Sequence, residues 1–186
     1  MSEYRQILLM RHGEADEKKP DQSRCLTREG MRQINTVTFQ LISRGLIPDY
    51  VVCSSVVRTQ QTLAEIRNLV PVAPAKISFC GERLYKARSA EDVLEILGDF
   101  LPEDSRCPLI IGHNPGMFLT ASYLASHHPT ASGTSVSQTY PTSTLSVIRH
   151  NGASWQNIAP STCVITDVLS GSPLPKMTGV LSPLRS

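Results

Sequence analysis

Two histidines each follow a short apolar run, and an arginine precedes the first of them. Residues 7–10 are apolar and lead into Arg11 and His12, and residues 108–112 form a second run that leads into His113. Continuous apolar runs of this length are typical of buried parallel strands. The carboxyl ends of such strands share the sheet edge at which open α/β folds bind ligands. The spacing therefore predicts two imidazoles and a guanidinium at one edge of a sheet.

A third apolar run, residues 50–53, precedes a predicted helix that presents Arg58 in its first turn. If the three strands are parallel, the guanidiniums of Arg11 and Arg58 meet the two imidazoles. Each guanidinium offers a planar fork of donors to phosphate oxygens, and helix N-termini at this edge would add backbone donors. Positive neighbours lower the pKa of an imidazole and so favour its neutral, nucleophilic form. We therefore expect a cationic pocket for a phosphoryl group, with His12 as the nucleophile and no cluster of carboxylates beside it.

The same residues do not form the pattern of a metal site. His12 and His113 have no third acidic or histidine partner at ligand-like spacing. The five cysteines are scattered singly, without a Cys-x-x-Cys motif, which indicates neither a disulfide framework nor a zinc site. We therefore expect no metal, no cofactor and a reducing, cytoplasmic location.

Length, charge and hydropathy exclude several classes of protein. The 186 residues are enough for one domain with a full core, and 40% hydrophobic with 18% charged residues is ordinary for a globular protein. The net charge of +2 is too balanced to favour nucleic acid or an anionic membrane. No apolar stretch approaches the roughly 20 residues that cross a bilayer, and the N-terminus lacks the order of a signal peptide.

The predicted helices and strands alternate along the chain. Helical spacing covers residues 27–45, 56–69, 90–101 and 115–126, and strands are predicted at 7–10, 50–53, 76–80 and 108–112. Residues 81–89 are predicted to be a loop. Asn151-Gly152 is typical of a hairpin turn, which predicts two late strands over residues 143–149 and 155–160. This order predicts a three-layer α/β/α sandwich with a mostly parallel central sheet.

The chain shows no internal repeat and no second domain boundary. We therefore expect a single domain over residues 1–169 and a tail rich in proline, serine and glycine over residues 170–186. Residues 127–141 are rich in serine, threonine, glycine and proline, and they could fold over the site. Three further histidines are expected to be exposed and without a role: His127, His128 and His150.

Four motifs in this order resemble the histidine phosphatase superfamily, whose fold is phosphoglycerate mutase-like. They are Arg11-His12-Gly13-Glu14-Ala15, Leu26-Thr27-x-x-Gly30, Ser54-Ser55-x-x-Arg58-Thr59-x-Gln61-Thr62 and Gly112-His113-Asn114-Pro115-Gly116. Further details resemble the small branch of SixA-type phosphohistidine phosphatases. These details are the short length, Arg24-x-Leu26-Thr27, Leu84-Tyr85 before a helix, and Pro141-Thr142-Ser143 entering a late strand. The resemblance runs from about residue 4 to residue 160.

The resemblance implies a role for each matching residue. His12 would be transiently phosphorylated, and water would then hydrolyse the phosphohistidine. The phosphoryl oxygens would be bound by Arg11, Arg58 and His113, with no metal. Four further residues are candidates for substrate binding: Gly13, Glu14, Arg24 and Asn114. Gly13 would leave space beside the ring. Glu14 would orient a site arginine, and Arg24 would contact the phosphate.

Larger members of the superfamily carry an acid that protonates the leaving group, and this chain departs from them. The corresponding region contains Glu82, which precedes Leu84 and is not assigned that role. A phosphoramidate needs less help from an acid, because its leaving nitrogen can arrive protonated. The resemblance therefore favours a phosphatase that acts on phosphohistidine in a phosphorylated protein.

Two alternatives stay open from the sequence: a phosphatase of a small phosphate ester, and a non-catalytic module that binds phosphate. The physiological substrate and the oligomeric state are not predicted.

Overall fold

One six-stranded sheet runs through the protein in the computed structural model, which describes residues 5–127 and 140–172. In chain order the strands are β1 (Arg5–Arg11), β2 (Tyr50–Cys53), β3 (Ile77–Phe79), β4 (Pro108–Gly112), β5 (Thr144–His150) and β6 (Cys163–Ser170). Their order across the sheet is β3-β2-β4-β1-β5-β6. The first four of these pair in parallel, and β5 pairs antiparallel with both β1 and β6. The prediction of a mostly parallel sheet is confirmed.

Five helices cover the two faces of the sheet. They are α1 (Arg28–Ser43), α2 (Val57–Arg67), the single turn α3 (Arg83–Lys86), α4 (Ala90–Phe100) and α5 (Gly116–Leu124). Side chains of β1 alternate between two apolar clusters, since Leu9 packs with residues of α3, α4 and α5, whereas Leu8 packs with residues of α1 and α2. The molecule is thus a three-layer α/β/α sandwich, as predicted.

The helix starts follow capping rules that are visible in the sequence. The hydroxyl of Thr27 accepts a hydrogen bond from the backbone N–H of Gly30 at 2.9 Å and so caps α1, as predicted. Ser89 caps α4 and forms a reciprocal capping box with Asp92. These contacts satisfy N–H groups that the first turn of a helix leaves unpaired.

The strand register brings the predicted residues to one edge. Met10 and Cys53 both pair with Ile111 of the central strand β4. The residues that follow β1, β2 and β4 therefore leave the sheet side by side. The antiparallel strand β5 starts at the same edge, where the N–H of Ser143 donates to the carbonyl of His12 at 3.0 Å.

The predicted strand over residues 155–160 was wrong. Trp155–Asn157 forms a 3-10 turn, and the strand that pairs with β5 begins only at Cys163. The backbone N–H of Trp155 donates to the carboxylate of Glu103, and its indole N–H donates to the carbonyl of Ser105 at 3.2 Å. These distant contacts remove the backbone of Trp155 from the sheet.

Two smaller expectations were also wrong. His150 is fully buried rather than exposed, because its ring stacks on the indole of Trp155 with centroids 5.5 Å apart. The predicted loop over residues 81–89 contains the helical turn α3. His127 is exposed as expected. The expectations for His128, for most of residues 127–141 and for the tail from residue 173 concern positions outside the described residues.

No helix in the described part of the chain has the length and hydropathy to span a membrane.

Candidate active site

A pocket of about 320 Å³ opens at the edge where β1 and β4 end. Seven of the predicted site residues line it: Arg11, His12, Glu14, Arg24, Arg58, His113 and Asn114. Gly13 lies outside the lining. Six residues of the lining were not predicted as site residues: Ala15, Glu17, Asp21, Tyr85, Arg88 and Thr142.

The ring of His12 is fixed in one tautomer. Its Nδ1 lies 2.7 Å from the backbone carbonyl oxygen of Gly13. A carbonyl can only accept, so Nδ1 carries the hydrogen and the neutral ring has its lone pair on Nε2. That lone pair accepts the Nε–H of Arg58 at 3.1 Å. His12 therefore presents a nucleophilic nitrogen toward a guanidinium.

Burial and nearby charge keep His12 neutral. The residue is 7% exposed, and burial is the largest cause that lowers its pKa, to about 3. The guanidiniums of Arg58 and Arg11 lower the pKa further, whereas the carbonyl of Gly13 and the carboxylate of Asp21 oppose them. The direction agrees with the sequence argument, but burial has a larger effect than the arginines.

His113 faces His12 from the end of β4, with ring centroids 5.0 Å apart. Its Nε2 lies 3.1 Å from the hydroxyl oxygen of Ser54, which follows β2. Its Nδ1 is buried and has no hydrogen-bond partner within residues 5–127 and 140–172. Burial first, then the proximity of His12 and Arg58, lowers the pKa of His113 to about 2. His113 is therefore neutral and has one ring nitrogen available.

Arg11 and Asn114 converge on a single carbonyl that the sequence analysis missed. The Nη1 of Arg11 and the Nδ2 of Asn114 each donate to the backbone oxygen of Tyr140 at 3.0 Å. Tyr140 is fully buried, and its hydroxyl donates to the carbonyl of Leu9 at 2.8 Å. The Nε of Arg11 and the Oδ1 of Asn114 are buried and have no partner among the described residues. These two atoms leave hydrogen-bonding capacity beside the pocket.

Carboxylates do accompany the arginines, contrary to the expectation. Glu14, Glu17 and Asp21 all line the pocket. Asp21 contacts Arg58 twice: the Nη1 donates to its backbone oxygen at 2.6 Å, and the Nη2 lies 3.3 Å from Oδ2. The hydroxyl of Tyr85 donates to the same Oδ2 at 2.7 Å. No periodic pattern marks Asp21, because it lies in a polar loop.

The remaining predicted residues have other contacts. The N–H of Gly13 donates to the hydroxyl of Thr62 at 3.1 Å, and a side chain at residue 13 would overlap Ile34 of α1. The structure therefore places the open side of Gly13 against a helix and not beside the imidazole. Glu14 accepts the hydroxyl hydrogen of Thr27 at 2.7 Å.

Arg24 lies at the rim, where its Nη1 is 3.4 Å from the carboxylate of Asp21. Glu82, which was not assigned a role, lies outside the pocket lining. Its carboxylate accepts from Lys86 at 2.8 Å and from Gln22 at 3.2 Å.

Among the described residues, no group of three or more histidine, cysteine, aspartate or glutamate side chains could hold a metal ion.

Comparison with known proteins gives one family and a set of solved structures. The model of the histidine phosphatase superfamily (branch 1) matches residues 7–78. No curated protein matches the chain.

Three solved structures illustrate the likeness. The putative phosphohistidine phosphatase SixA from Nakamurella multipartitia is 26% identical, with a TM-score of 0.73 over 89% of this chain and 95% of that chain. The protein histidine phosphatase SixA complexed with tungstate is 20% identical, with a TM-score of 0.68 over 89% and 97%. A putative alpha-ribazole-5'-P phosphatase from Escherichia coli is 16% identical, with a TM-score of 0.56 over 90% and 98%.

The last two are too distant in sequence to show more than a shared fold. Together with the architecture described above, the solved structures show the phosphoglycerate mutase-like fold. The family model, which covers less than half of the chain, shows a similarity to the histidine phosphatase superfamily and supports a phosphatase.

Proposed function

We propose that this protein is a metal-independent protein phosphohistidine phosphatase that works through a transient phosphohistidine at His12. One observation supports the nucleophile above all others. Nε2 of His12 holds its lone pair in a buried pocket, because Nδ1–H donates to the carbonyl of Gly13 at 2.7 Å. A neutral imidazole with an unprotonated nitrogen is the form that attacks phosphorus.

In the first proposed step, Nε2 of His12 attacks the phosphorus and the bond from phosphorus to the leaving nitrogen breaks. The positive charge that develops on the ring of His12 is stabilised by the hydrogen bond from Nδ1 to Gly13. A substrate imidazole that carries a proton on its second nitrogen takes the bonding electrons and departs as a neutral ring. In the second step water attacks the phosphorus, inorganic phosphate leaves, and Nε2 recovers its lone pair.

The proposed binding groups for the phosphoryl oxygens are Arg11, Arg58 and His113. The Nε of Arg11 and the Nδ1 of His113 are buried polar atoms without a partner in the described residues. Arg11 can donate to an oxygen, and so can His113 when its ring hydrogen lies on Nδ1. The guanidiniums neutralise charge as the phosphoryl group is transferred, which is the dominant contribution to this reaction.

The acidic groups around the pocket favour a phosphoramidate over an ester. An ester needs a proton for its leaving oxygen. The hydrogen bond from Tyr85 and the adjacent Arg58 lower the pKa of Asp21, so this carboxylate stays ionised. Glu82 is bound to Lys86 outside the pocket. A leaving imidazole needs no acid, which supports phosphohistidine as the substrate.

The alternative substrate is a small phosphate monoester. Glu14 and Glu17 line the pocket and offer the carboxyl groups that such a substrate would require. We rank this second, because Glu14 already accepts a hydrogen bond from Thr27 at 2.7 Å.

Rapid quenching with labelled substrate tests both the intermediate and the substrate class. We expect acid-labile phosphate on the protein after brief exposure to a phosphohistidine peptide, and none in His12→Asn. The variant His127→Asn is the matched control, since His127 is an exposed histidine outside the pocket, and it should be labelled like the wild type.

Turnover of the peptide should exceed turnover of an aryl phosphate ester at equal concentration. Equal or faster hydrolysis of the ester would favour the alternative substrate. Binding of the peptide without any label on His12 would instead favour the non-catalytic module.

A further inference from the structure

Residues 15–26 form a loop between β1 and α1 that contacts helices on opposite faces of the sheet. Ala15 and Leu26 pair as an antiparallel bridge that closes the base of the loop. Farther along the loop, Asp21 contacts Arg58 of α2 and Tyr85 of α3. The loop is therefore one wall of the pocket and also links two layers of the sandwich.

The guanidinium of Arg58 has contacts on all three of its nitrogens. Its Nε donates to Nε2 of His12 at 3.1 Å. Its Nη1 donates to the backbone oxygen of Asp21 at 2.6 Å, and its Nη2 lies 3.3 Å from the carboxylate. The side chain of Arg58 is only 6% exposed. Asp21 thus determines which edge of the guanidinium faces His12.

Tyr85 supports this arrangement from the other side of the pocket. Its hydroxyl donates to the Oδ2 of Asp21 at 2.7 Å. Its ring lies under the guanidinium of Arg58, at 5.7 Å, and edge-on to the ring of His113, with centroids 5.3 Å apart. One side chain therefore contacts the carboxylate, the arginine and the second histidine.

We propose that Asp21 and Tyr85 are positioning residues that hold the guanidinium of Arg58 beside His12, where it meets the phosphoryl group, and thereby set the rate of turnover. The inference rests on the proposed function, because Arg58 must act on the phosphoryl group for its orientation to matter. An arginine side chain loses conformational entropy when it is fixed in one orientation. If folding already fixes it, this loss does not add to the activation barrier of the reaction.

The charge of Asp21 makes the proposal distinguishable from simple damage to the site. A carboxylate beside Arg58 repels an anionic phosphoryl group while it orients the guanidinium. Removal of its charge should therefore leave phosphate binding unchanged or tighter, although turnover falls. A general loosening of the pocket would weaken both.

The test measures kcat and KM on a phosphohistidine peptide, and binding of inorganic phosphate by calorimetry. Asp21→Asn should lower kcat by about tenfold or more without weakening phosphate binding. Tyr85→Phe keeps the ring and should lower kcat by a smaller factor. In an Asp21→Ala background the effect of Tyr85→Phe should largely disappear, because the two residues act through one hydrogen bond.

Gln22→Ala is the matched control. It removes the neighbouring contact of the same loop, from Gln22 to Glu82 at 3.2 Å, and should leave kcat unchanged. Wild-type kcat in Asp21→Asn, or an equal loss of kcat in Gln22→Ala, would overturn the inference. An undiminished effect of Tyr85→Phe in the Asp21→Ala background would overturn it too. Failure of the wild type to hydrolyse any phosphoryl substrate would refute the proposed function itself, which is a separate result.

Discussion

Nε2 of His113 lies 3.1 Å from the hydroxyl oxygen of Ser54, across the ends of the neighbouring strands β4 and β2. When this hydroxyl donates, the hydrogen of the neutral ring must lie on Nδ1, the nitrogen that has no partner among the described residues. A donating Ser54 hydroxyl thus selects the tautomer of His113 that can donate to a phosphoryl oxygen.

Ser54→Ala should lower kcat on a phosphohistidine peptide by about three- to tenfold, since one hydrogen bond fixes this tautomer. Steady-state kinetics give the measurement. Ser105→Ala is the control, because Ser105 is also buried and hydrogen-bonded, to Asp49, but lies before the opposite end of β4. It should cost stability without changing kcat. Equal kcat for the wild type and Ser54→Ala would show that the tautomer is fixed by another contact.

Arg58→Lys should lower kcat by about 10²-fold or more although the positive charge is kept. A lysine ammonium is a point charge and lacks the planar fork by which Arg58 contacts Nε2 of His12 at 3.1 Å and the backbone oxygen of Asp21 at 2.6 Å. Arg32→Lys, at an exposed ion pair with Glu29, provides the comparison and should retain full activity. Activity within a factor of about two of the wild type would mean that only the charge of Arg58 matters.

Glu82→Gln should leave the hydrolysis of both a phosphohistidine peptide and an aryl phosphate unchanged. The carboxylate accepts from Lys86 at 2.8 Å and does not line the pocket. Comparison of kcat for the two substrates is the measurement. A large loss on the ester alone would identify Glu82 as the leaving-group acid, contrary to the structure.

The two lowered histidine pKa values predict an acid-sensitive fold. In the folded protein the pKa is about 3 for His12 and about 2 for His113, whereas an unfolded histidine titrates near 6.5. Above about pH 6.5 the two histidines are neutral in both the folded and the unfolded protein, so they add no pH dependence to the free energy of unfolding. As the pH falls toward 3, only the unfolded state takes up these protons. Each histidine then lowers the free energy of unfolding by up to about 1.4 kcal/mol per pH unit.

Urea unfolding at pH 7 and pH 5 measures this effect. The double variant His12→Asn, His113→Asn should lose less stability over that range than the wild type. An equal loss of stability in both proteins would show that these two histidines do not cause the acid sensitivity.

Two glycines in helices should respond in opposite directions to alanine. A side chain at Gly30 in α1 would overlap the backbone oxygen of Glu14, and this backbone cannot move without shifting the pocket wall. Gly30→Ala should destabilise the protein by about 1–3 kcal/mol. At Gly98 in α4 the nearest atom is 3.7 Å away, so Gly98→Ala should stabilise by up to about 1 kcal/mol. Thermal unfolding measures the stability of both variants. Unchanged stability in Gly30→Ala would show that the loop relaxes around the added side chain.

The positions of His12 and His113 were predictable, because each residue directly follows the end of a strand. Apolar runs identify β1 and β4, and the parallel register then places His12 within 5.0 Å of His113 between ring centroids. The direction of a strand and its apolar pattern can both be predicted from a short segment of the chain. The helix cap at Thr27 was predictable for the same reason.

The parts that sequence reasoning missed depend on contacts between distant segments. Asp21 reaches Arg58 and Tyr85 only because its loop is closed by a bridge, and no periodicity marks that closure. Tyr140 acts through its backbone oxygen, which is present in every residue and carries no signal in the side chain. Trp155 favours a strand by its residue type, but its buried indole fixes a turn instead.

The central strand has a further consequence for the nascent protein. β4 lies between β1 and β2 in the sheet, although it follows both in the chain, and β1 and β2 do not pair with each other. A nascent chain of residues 1–107 therefore lacks both the strand that joins β1 to β2 and the His113 that follows it. Hydrolytic activity should appear only after translation has passed this strand, so catalysis itself reports that the fold is assembled.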